Sequence, residues 1–137
     1  MDRRRPTLRS LDAVTVPVPE LESGLAFYRD HLGHELLWRD DAAGQAGLAL
    51  PDSDSELVLT TTHAYEPDWL VDSVDVAAAA FERGGGSIAV PPTDIPVGRL
   101  AVVMDPFGNA LVLVDLSKGR YVTDESGGVV DVRRAAE

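Results

Sequence analysis

The chain has 137 residues, no cysteine and a formal net charge of −11. Its length suffices for one domain with a sizeable core, and 45% hydrophobic with 26% charged residues is typical of a globular protein. The acidic charge disfavours nucleic acid and anionic membranes as partners, and the lack of cysteine excludes disulfides, thiol catalysis and cysteine-bound metals. No apolar run reaches the ~20 residues of a membrane-spanning helix, so we expect a cytoplasmic protein. Arg3, Arg4, Arg5 and Arg9 crowd the amino terminus, where a solvated tail is expected.

The first half of the chain predicts a strand, a helix and three more strands. Val14, Val16 and Val18 alternate as in a half-buried strand. A helix is predicted from Pro19 to Gly33, because proline and acids favour helix starts and glycine favours helix ends. Its apolar residues recur at helical spacing: Leu21, Leu25, Tyr28 and Leu32. Turn-forming loops separate three further apolar runs, which predict a meander: Leu36–Trp38, Gly47–Leu50 and Glu56–Thr62.

The second half repeats this order. Trp69–Val71 predicts a strand, and Asp75 is suited to cap a helix from Val76 to Arg83, which the glycines at 84–86 would end. A strand at Ser87–Val90 is then expected to break at the proline-rich residues 91–96.

A closing hairpin ends the second half. Asp105–Asn109 has the chemistry of a tight turn, with Pro106 early in it and Gly108 where φ is positive. It joins the apolar run Leu100–Met104 to a second strand, which ends at Asp115. This second strand is apolar on both faces and is therefore predicted to be central.

An internal repeat organises these elements. Superposing Leu21 on Val74 gives an offset of 53 residues, which also aligns Tyr28 with Phe81. We therefore predict one α+β domain over residues 1–137, made of two βαβββ modules at about 11–62 and 66–116. Each module would leave one sheet face open, so we expect a curled mixed sheet around a shared cavity. The polar tail 117–137 is expected to add little core: it could be loose or could dock Tyr121 or Val129 and Val130 on a partner.

Two motifs resemble those of a known superfamily. Residues 16–33, VPVPELESGLAFYRDHLG, are similar to the first-helix signature of the vicinal oxygen chelate superfamily, and Gly98-Arg99 with DPFGN at 105–109 resembles its last hairpin. The superfamily includes glyoxalase I, extradiol dioxygenases, fosfomycin-resistance proteins and bleomycin-binding proteins. The resemblance covers about residues 11–116 and implies the paired-module fold, with a homodimer as the expected assembly.

The metal-dependent members of this superfamily resemble one another in placing four inward-pointing metal ligands, usually His, Gln or Glu, on the first and last strand of each module. Carried over by motif and by the offset of 53, these positions are Ala13, Leu59, Glu66 and Val112. Three of them have no donor atom, whereas a divalent ion needs at least three N, O or S ligands. The resemblance therefore implies a protein with neither metal nor cofactor, although a displaced site of His63, Glu66 and Asp68 stays open.

The predicted cavity gives two carboxylates a possible role. Glu66 and Asp68 share one face of their predicted strand, so Glu66 could act as a general base or as a counter-ion. Glu66 also suits an exposed linker between the modules. Trp38 could roof a pocket or fill core, and Arg99 could hold an anion or be a surface charge. The candidate ligand-binding residues are Ala13, Thr15, Trp38, Leu59, Glu66, Asp68 and Val112.

Three functions fit this pattern. The first is a metal-free binding module for a small organic molecule, aromatic or cationic, in an apolar cavity. The second is a lyase, isomerase or dioxygenase-type enzyme that uses Glu66, the best catalytic candidate, or displaced metal ligands. The third is a structural dimer whose side chains fill the cavity.

Overall fold

The structure, a computed structural model, describes residues 6–134. Residues 1–5, which include Arg3, Arg4 and Arg5, and residues 135–137 lie outside the described part. The chain forms two compact units. Residues 12–67 and 121–133 make up one unit, and residues 68–120 make up most of the other. The predicted module bounds, about 11–62 and 66–116, stay a prediction, and most of the tail belongs to the same unit as residues 12–67.

Module one has the predicted order of strand, helix and three strands. Its sheet has the order β2-β3-β4-β1, in which β1 and β4 are parallel and the other neighbours antiparallel. The strands are β1 (Ser10–Pro17), β2 (Leu36–Asp40), β3 (Gln45–Leu50) and β4 (Ser53–Thr60), and helix α1 spans Leu21–Leu25.

The helix of module one differs from prediction in its second half. After α1 the chain continues as a π-helix over Ala26–His31, in which Leu32 N donates to Phe27 O at 2.9 Å. A bond spanning five residues widens the turn, so the 3.6-residue spacing that predicted a buried Leu32 no longer holds. Leu32 is 50% exposed, whereas Leu21 and Leu25 are buried. The segment ends at Gly33, where φ is +87° as predicted for a terminating glycine.

Module two repeats the topology of module one. Its strands have the order β6-β7-β8-β5, with β5 parallel to β8. The strands are β5 (Glu66–Leu70), β6 (Ser87–Ile95), β7 (Gly98–Met104) and β8 (Ala110–Asp115), and helix α2 spans Val74–Arg83. The α+β class and the two βαβββ modules are therefore confirmed. The cavity that we expect between the modules stays a prediction.

Two details of module two correct the sequence prediction. The cap of α2 is Ser73, whose side chain accepts from Val76 N, and not Asp75, which lies within the first turn. Strand β6 continues through Pro91 and Pro92 with irregular register, where we expected a break. Because β6 is the last strand of its sheet, prolines that cannot donate to a neighbour are tolerated there.

The closing hairpin is formed as predicted. Oδ1 of Asp105 accepts from the backbone N of Phe107 at 2.8 Å and of Asn109 at 2.9 Å, and Gly108 has φ +92°. Strand β8 lies between β5 and β7, in agreement with its apolar sequence.

Each helix covers one face of its sheet. Leu25, Leu48 and Leu59 belong to the core under the helix of module one, and Val74, Val103 and Leu113 to the core under α2. All six are completely or almost completely buried. The helix side of each sheet is therefore filled by core residues, and a binding site would have to lie on the opposite face.

The tail forms structure that we did not predict. Strands β9 (Arg120–Thr123) and β10 (Val129–Arg133) pair as a two-stranded sheet, the C-terminal hairpin. It packs on module one through Tyr121 and Val129. Within residues 6–134, no helix is long and apolar enough to cross a bilayer.

Candidate functional site

The face of module one away from α1 holds three of the candidate residues, Ala13, Thr15 and Trp38. Along β1, Val14 and Val16 pack toward the helix, so Ala13 and Thr15 point to the opposite face. There Ala13 forms a cluster with Trp38 and Val58. We call the surface made by Ala13, Trp38, Glu56 and Val58 the Trp38 face.

Trp38 is fixed at the centre of this face. Its Nε1 donates to Oε1 of Glu56 at 2.7 Å. Its ring lies against Gly47 in β3, where an added Cβ would come within 2.1 Å of Nε1 and 2.4 Å of Cε2. Glycine at position 47 therefore makes room for the indole, and both Gly47 and Glu56 belong to a site that we did not predict. The alternation of Glu56 and Val58 along β4 was the signal that could have revealed Glu56.

The C-terminal hairpin covers the Trp38 face. The Tyr121 ring contacts the Trp38 ring with centroids 4.8 Å apart and planes tilted by 44°. Burial, followed by the negative charges of Asp40 and Glu56, raises the pKa of Tyr121. In this structure Trp38 is 8% exposed and Ala13 4% exposed. The tail was expected to add little core, and none of the hairpin residues 120–133 is fully buried, but Tyr121 and Val129 are half-buried against this cluster and not free for a partner.

Glu66 lies within a strand and not in a linker. It is the first residue of β5 and is half-buried. The Thr15 hydroxyl lies 2.6 Å from Ala64 O and 3.2 Å from Glu66 O, so it can donate to either carbonyl. Thr15 thus anchors the backbone that carries Glu66 and uses its hydroxyl to do so.

Leu59 faces the wrong side for a ligand-binding residue. It is completely buried under the helix, and its Cδ1 would touch a Cβ placed on Gly24 at 3.0 Å. Our prediction was wrong because the offset of 53 does not hold through the whole module. Equivalent backbone bonds join Val18 N to Thr60 O and Val71 N to Val114 O, both at 2.9 Å.

These two bonds give the corrected position. Val71 follows Val18 by 53 positions, but Val114 follows Thr60 by 54. A one-residue error turns a side chain to the other face of a strand. The counterpart of Val112 is accordingly Val58, which lies on the Trp38 face.

The remaining candidates lie in module two. Asp68 and Val112 are paired neighbours on β5 and β8. Leu113 packs under α2 and Trp69 packs against the same cluster, so Asp68 and Val112 point away from the helix, and their role in a ligand site stays a prediction. Val112 is buried and Asp68 is half-buried.

The side chains at the carried-over ligand positions do not fit a divalent metal ion. With the correction, the positions carried over from the metal-dependent relatives are Ala13, Val58, Glu66 and Val112, of which one has a donor side chain. Among residues 6–134, no three His, Cys, Asp or Glu side chains come together as a metal-binding group. The displaced set of His63, Glu66 and Asp68 is thus not assembled.

Arg99 is engaged within module two. Its guanidinium lies 2.9 Å from an Asp75 carboxylate oxygen, and Nη1 donates to Asp94 at 3.0 Å. Asp94 also pairs with Lys118 at 3.2 Å. Because two carboxylates already neutralise it, Arg99 is poorly suited to hold an anionic ligand.

Paired βαβββ modules define the class of this protein. Ala13 and Trp38 lie on the sheet face of module one away from its helix, and Asp68 and Val112 lie on the corresponding face of module two. The model of the Glyoxalase/Bleomycin resistance protein/Dioxygenase superfamily matches residues 10–113, and the chain belongs to this superfamily.

Relatives and solved structures agree with this assignment. The chain is 36% identical over 95 residues to the putative glyoxylase CFP32 of Mycobacterium tuberculosis and of Mycobacterium bovis, covering 61% of this chain. It spans about a third (35%) of the length of these curated relatives. Among solved structures, methylmalonyl-CoA epimerase from Mycobacterium tuberculosis has a TM-score of 0.62 at 20% identity, with 80% of this chain and 89% of the epimerase covered. The hypothetical protein BH1468 from Bacillus halodurans has a TM-score of 0.65 at 16% identity, covering 84% and 98% of the two chains. At these identities the two structures show the fold alone.

Proposed function

We propose that this protein binds a small organic molecule through apolar contacts and without a metal ion. The observation that carries the proposal is the chemistry of the sheet faces away from the helices. By the family resemblance, Ala13, Val58 and Val112 correspond to ligand positions of the metal-dependent members, and all three are aliphatic. Such side chains favour the apolar body of a ligand and cannot replace water around a cation.

The test is a ligand screen by thermal denaturation, with and without EDTA. We expect at least one aromatic or aliphatic small molecule to raise the melting temperature, since a ligand at 100 times its Kd stabilises a protein by about 2.7 kcal/mol. We expect EDTA to leave both the unliganded protein and the shift unchanged. Melting temperatures that fall on chelation, together with a stoichiometric metal in protein purified without chelator, would contradict a metal-free site.

A second candidate is an enzyme, a lyase, isomerase or dioxygenase-type protein that uses Glu66. It is favoured by the position of Glu66, a half-buried carboxylate on a strand whose backbone Thr15 anchors. The names of the relatives, a glyoxylase and an epimerase, point in the same direction.

Glu66→Gln separates the two candidates. The substitution keeps the size of the side chain and removes its ability to accept a proton, so an enzyme should lose at least 100-fold in turnover. A binding protein for neutral ligands should keep its Kd within about two-fold. Glu82→Gln, on the exposed side of α2, is the control for loss of a negative charge. Equal turnover in both variants would remove Glu66 from the catalytic role.

A further inference from the structure

The C-terminal hairpin lies beyond the residues that match the family model. The superfamily match ends at residue 113, whereas β9 begins at Arg120 and β10 ends at Arg133. The hairpin nevertheless occupies the Trp38 face, where the corrected position Val58 and the candidates Ala13 and Trp38 lie. A segment of the chain itself therefore covers candidate ligand-binding residues.

The contact has the form of a ligand in a site. The Tyr121 ring lies against the Trp38 indole, and the same indole lies against Gly47. Beside the rings lie the carboxylates of Asp40 and Glu56, whose charges act on the Tyr121 hydroxyl. The surroundings suit an aromatic ring that is neutral or positively charged and disfavour an anion.

The C-terminal hairpin is a small element that depends on its contacts with module one for stability. It has two strands, which are marginally stable without other packing. Val130 is 64% exposed on it, and the tip residue Asp124 is satisfied within its own turn, accepting from Ser126 N and Gly128 N. Toward module one, Arg39 N donates to Gly127 O at 2.7 Å, next to a single bridge from Arg39 to Gly128. For the hairpin to leave, these contacts and the packing of Tyr121 and Val129 would have to be given up.

We infer that the C-terminal hairpin is a displaceable cover, and that the Trp38 face beneath it binds a neutral or cationic aromatic molecule whose ring takes the place of Tyr121. The inference rests on the proposed small-molecule binding and names where the ligand binds and what it competes with. In the closed state the chain inhibits its own site. Ligand affinity is then set partly by the cost of opening the hairpin.

Amide hydrogen exchange measures opening in the unaltered protein. We expect the Arg39 amide to exchange at least ten-fold faster than the amides of the β3–β4 ladder, because its acceptor leaves with the hairpin while the sheet stays folded. The probe for the site is p-cresol, the side chain of tyrosine as a free molecule. At saturating p-cresol we expect the Arg39 amide to lose further protection and the Trp38 indole N–H resonance to shift.

Tyr121→Ala tests the competition. Removing the internal ring should tighten p-cresol binding at least ten-fold over the unaltered chain. Tyr28→Ala is the matched control, because Tyr28 packs against the core on the helix side of the same module. That variant also loses a phenol ring but keeps Tyr121, so it should bind p-cresol at the Trp38 face with the affinity of the unaltered chain.

Two results would overturn the inference. One is an Arg39 amide that exchanges as slowly as the β3–β4 ladder and does not respond to p-cresol, a result that does not depend on any variant folding. The other is equal p-cresol affinity with and without the Tyr121 ring. If a molecule binds the unaltered chain and Tyr121→Ala equally and leaves the Arg39 amide protected, the proposed function stands but the hairpin is not a displaceable cover. Failure of every molecule in the screen, with Tyr121→Ala included, would reject the proposed function itself.

Discussion

Replacing Asp115 by alanine is expected to cost about 3 kcal/mol of unfolding free energy, because it would leave backbone donors buried without an acceptor. Asp115 is 3% exposed at the end of β8. Its Oδ2 accepts from Val74 N at 2.9 Å, and its Oδ1 accepts from Arg99 N at 3.0 Å and from Ser117 N at 3.2 Å. One carboxylate thus joins the first residue of α2, the start of β7 and the end of β8.

The charge of Asp115 makes part of this stability depend on pH. Burial by itself would raise the pKa of Asp115, but the hydrogen bonds from Val74, Ser117 and Arg99 outweigh it and the pKa is lowered. A lowered pKa in the folded state means that the stabilisation is complete above the unfolded value of about 3.9 and disappears as the pH falls through the folded value. Asp115→Asn should therefore flatten the acid limb of stability against pH.

Denaturant unfolding at pH 7 and at several pH values below 5 checks both statements. We expect Asp115→Asn to lie between the unaltered protein and Asp115→Ala at pH 7, because one amide oxygen can still accept while its NH₂ group faces other donors. Asp54→Ala, on an exposed part of β4, should change stability by less than about 0.5 kcal/mol. If Asp115→Ala were no worse than Asp54→Ala, the carboxylate would not hold module two together as argued.

The features that were predictable from sequence are those encoded by neighbouring residues. The Asp105 to Asn109 turn, the end of α2 in glycines and the repeated βαβββ order all follow from local turn chemistry and periodicity, and all are present. Pro91 and Pro92 were misread because proline ends a strand only where its missing donor is needed. Whether a strand lies at the end of a sheet is decided by the whole module and is not encoded nearby.

The site was only partly predictable, for two different reasons. Leu59 was chosen instead of Val58 because one extra residue between the helix and the last strand of module two reverses the face, and a repeat offset taken at the helices does not show it. The C-terminal hairpin was missed because Tyr121 and Val129 obtain their stability from Trp38 and Ala13, far away in sequence. Two short apolar runs flanking Asp124 and Gly127 were its local signal.

Within the Trp38 face, we expect stability to be most sensitive to substitution of Gly47, which has no side chain. Gly47→Ala would place a methyl group 2.1 Å from Trp38 Nε1 and 2.8 Å from Glu56 Oε1. Gly47 lies within β3, paired with Trp38 on one side and Val58 on the other, so its backbone cannot easily retreat. The indole must move instead, which breaks its bond to Glu56 and disturbs its contact with Tyr121. We expect a loss of about 2 kcal/mol, the usual cost of overpacking a core.

Denaturant unfolding and the Trp38 indole N–H resonance measure the two consequences of Gly47→Ala. Gly84→Ala is the matched control, since a Cβ there would meet Ala80 O at 3.5 Å and Phe81 O at 3.7 Å, both ordinary contacts. That variant should stay within about 0.5 kcal/mol of the unaltered protein. If Gly47→Ala matched it in stability and left the indole N–H resonance in place, the indole would not rest on Gly47. In that case the Trp38 face could not present the flat ring on which the proposed aromatic site depends.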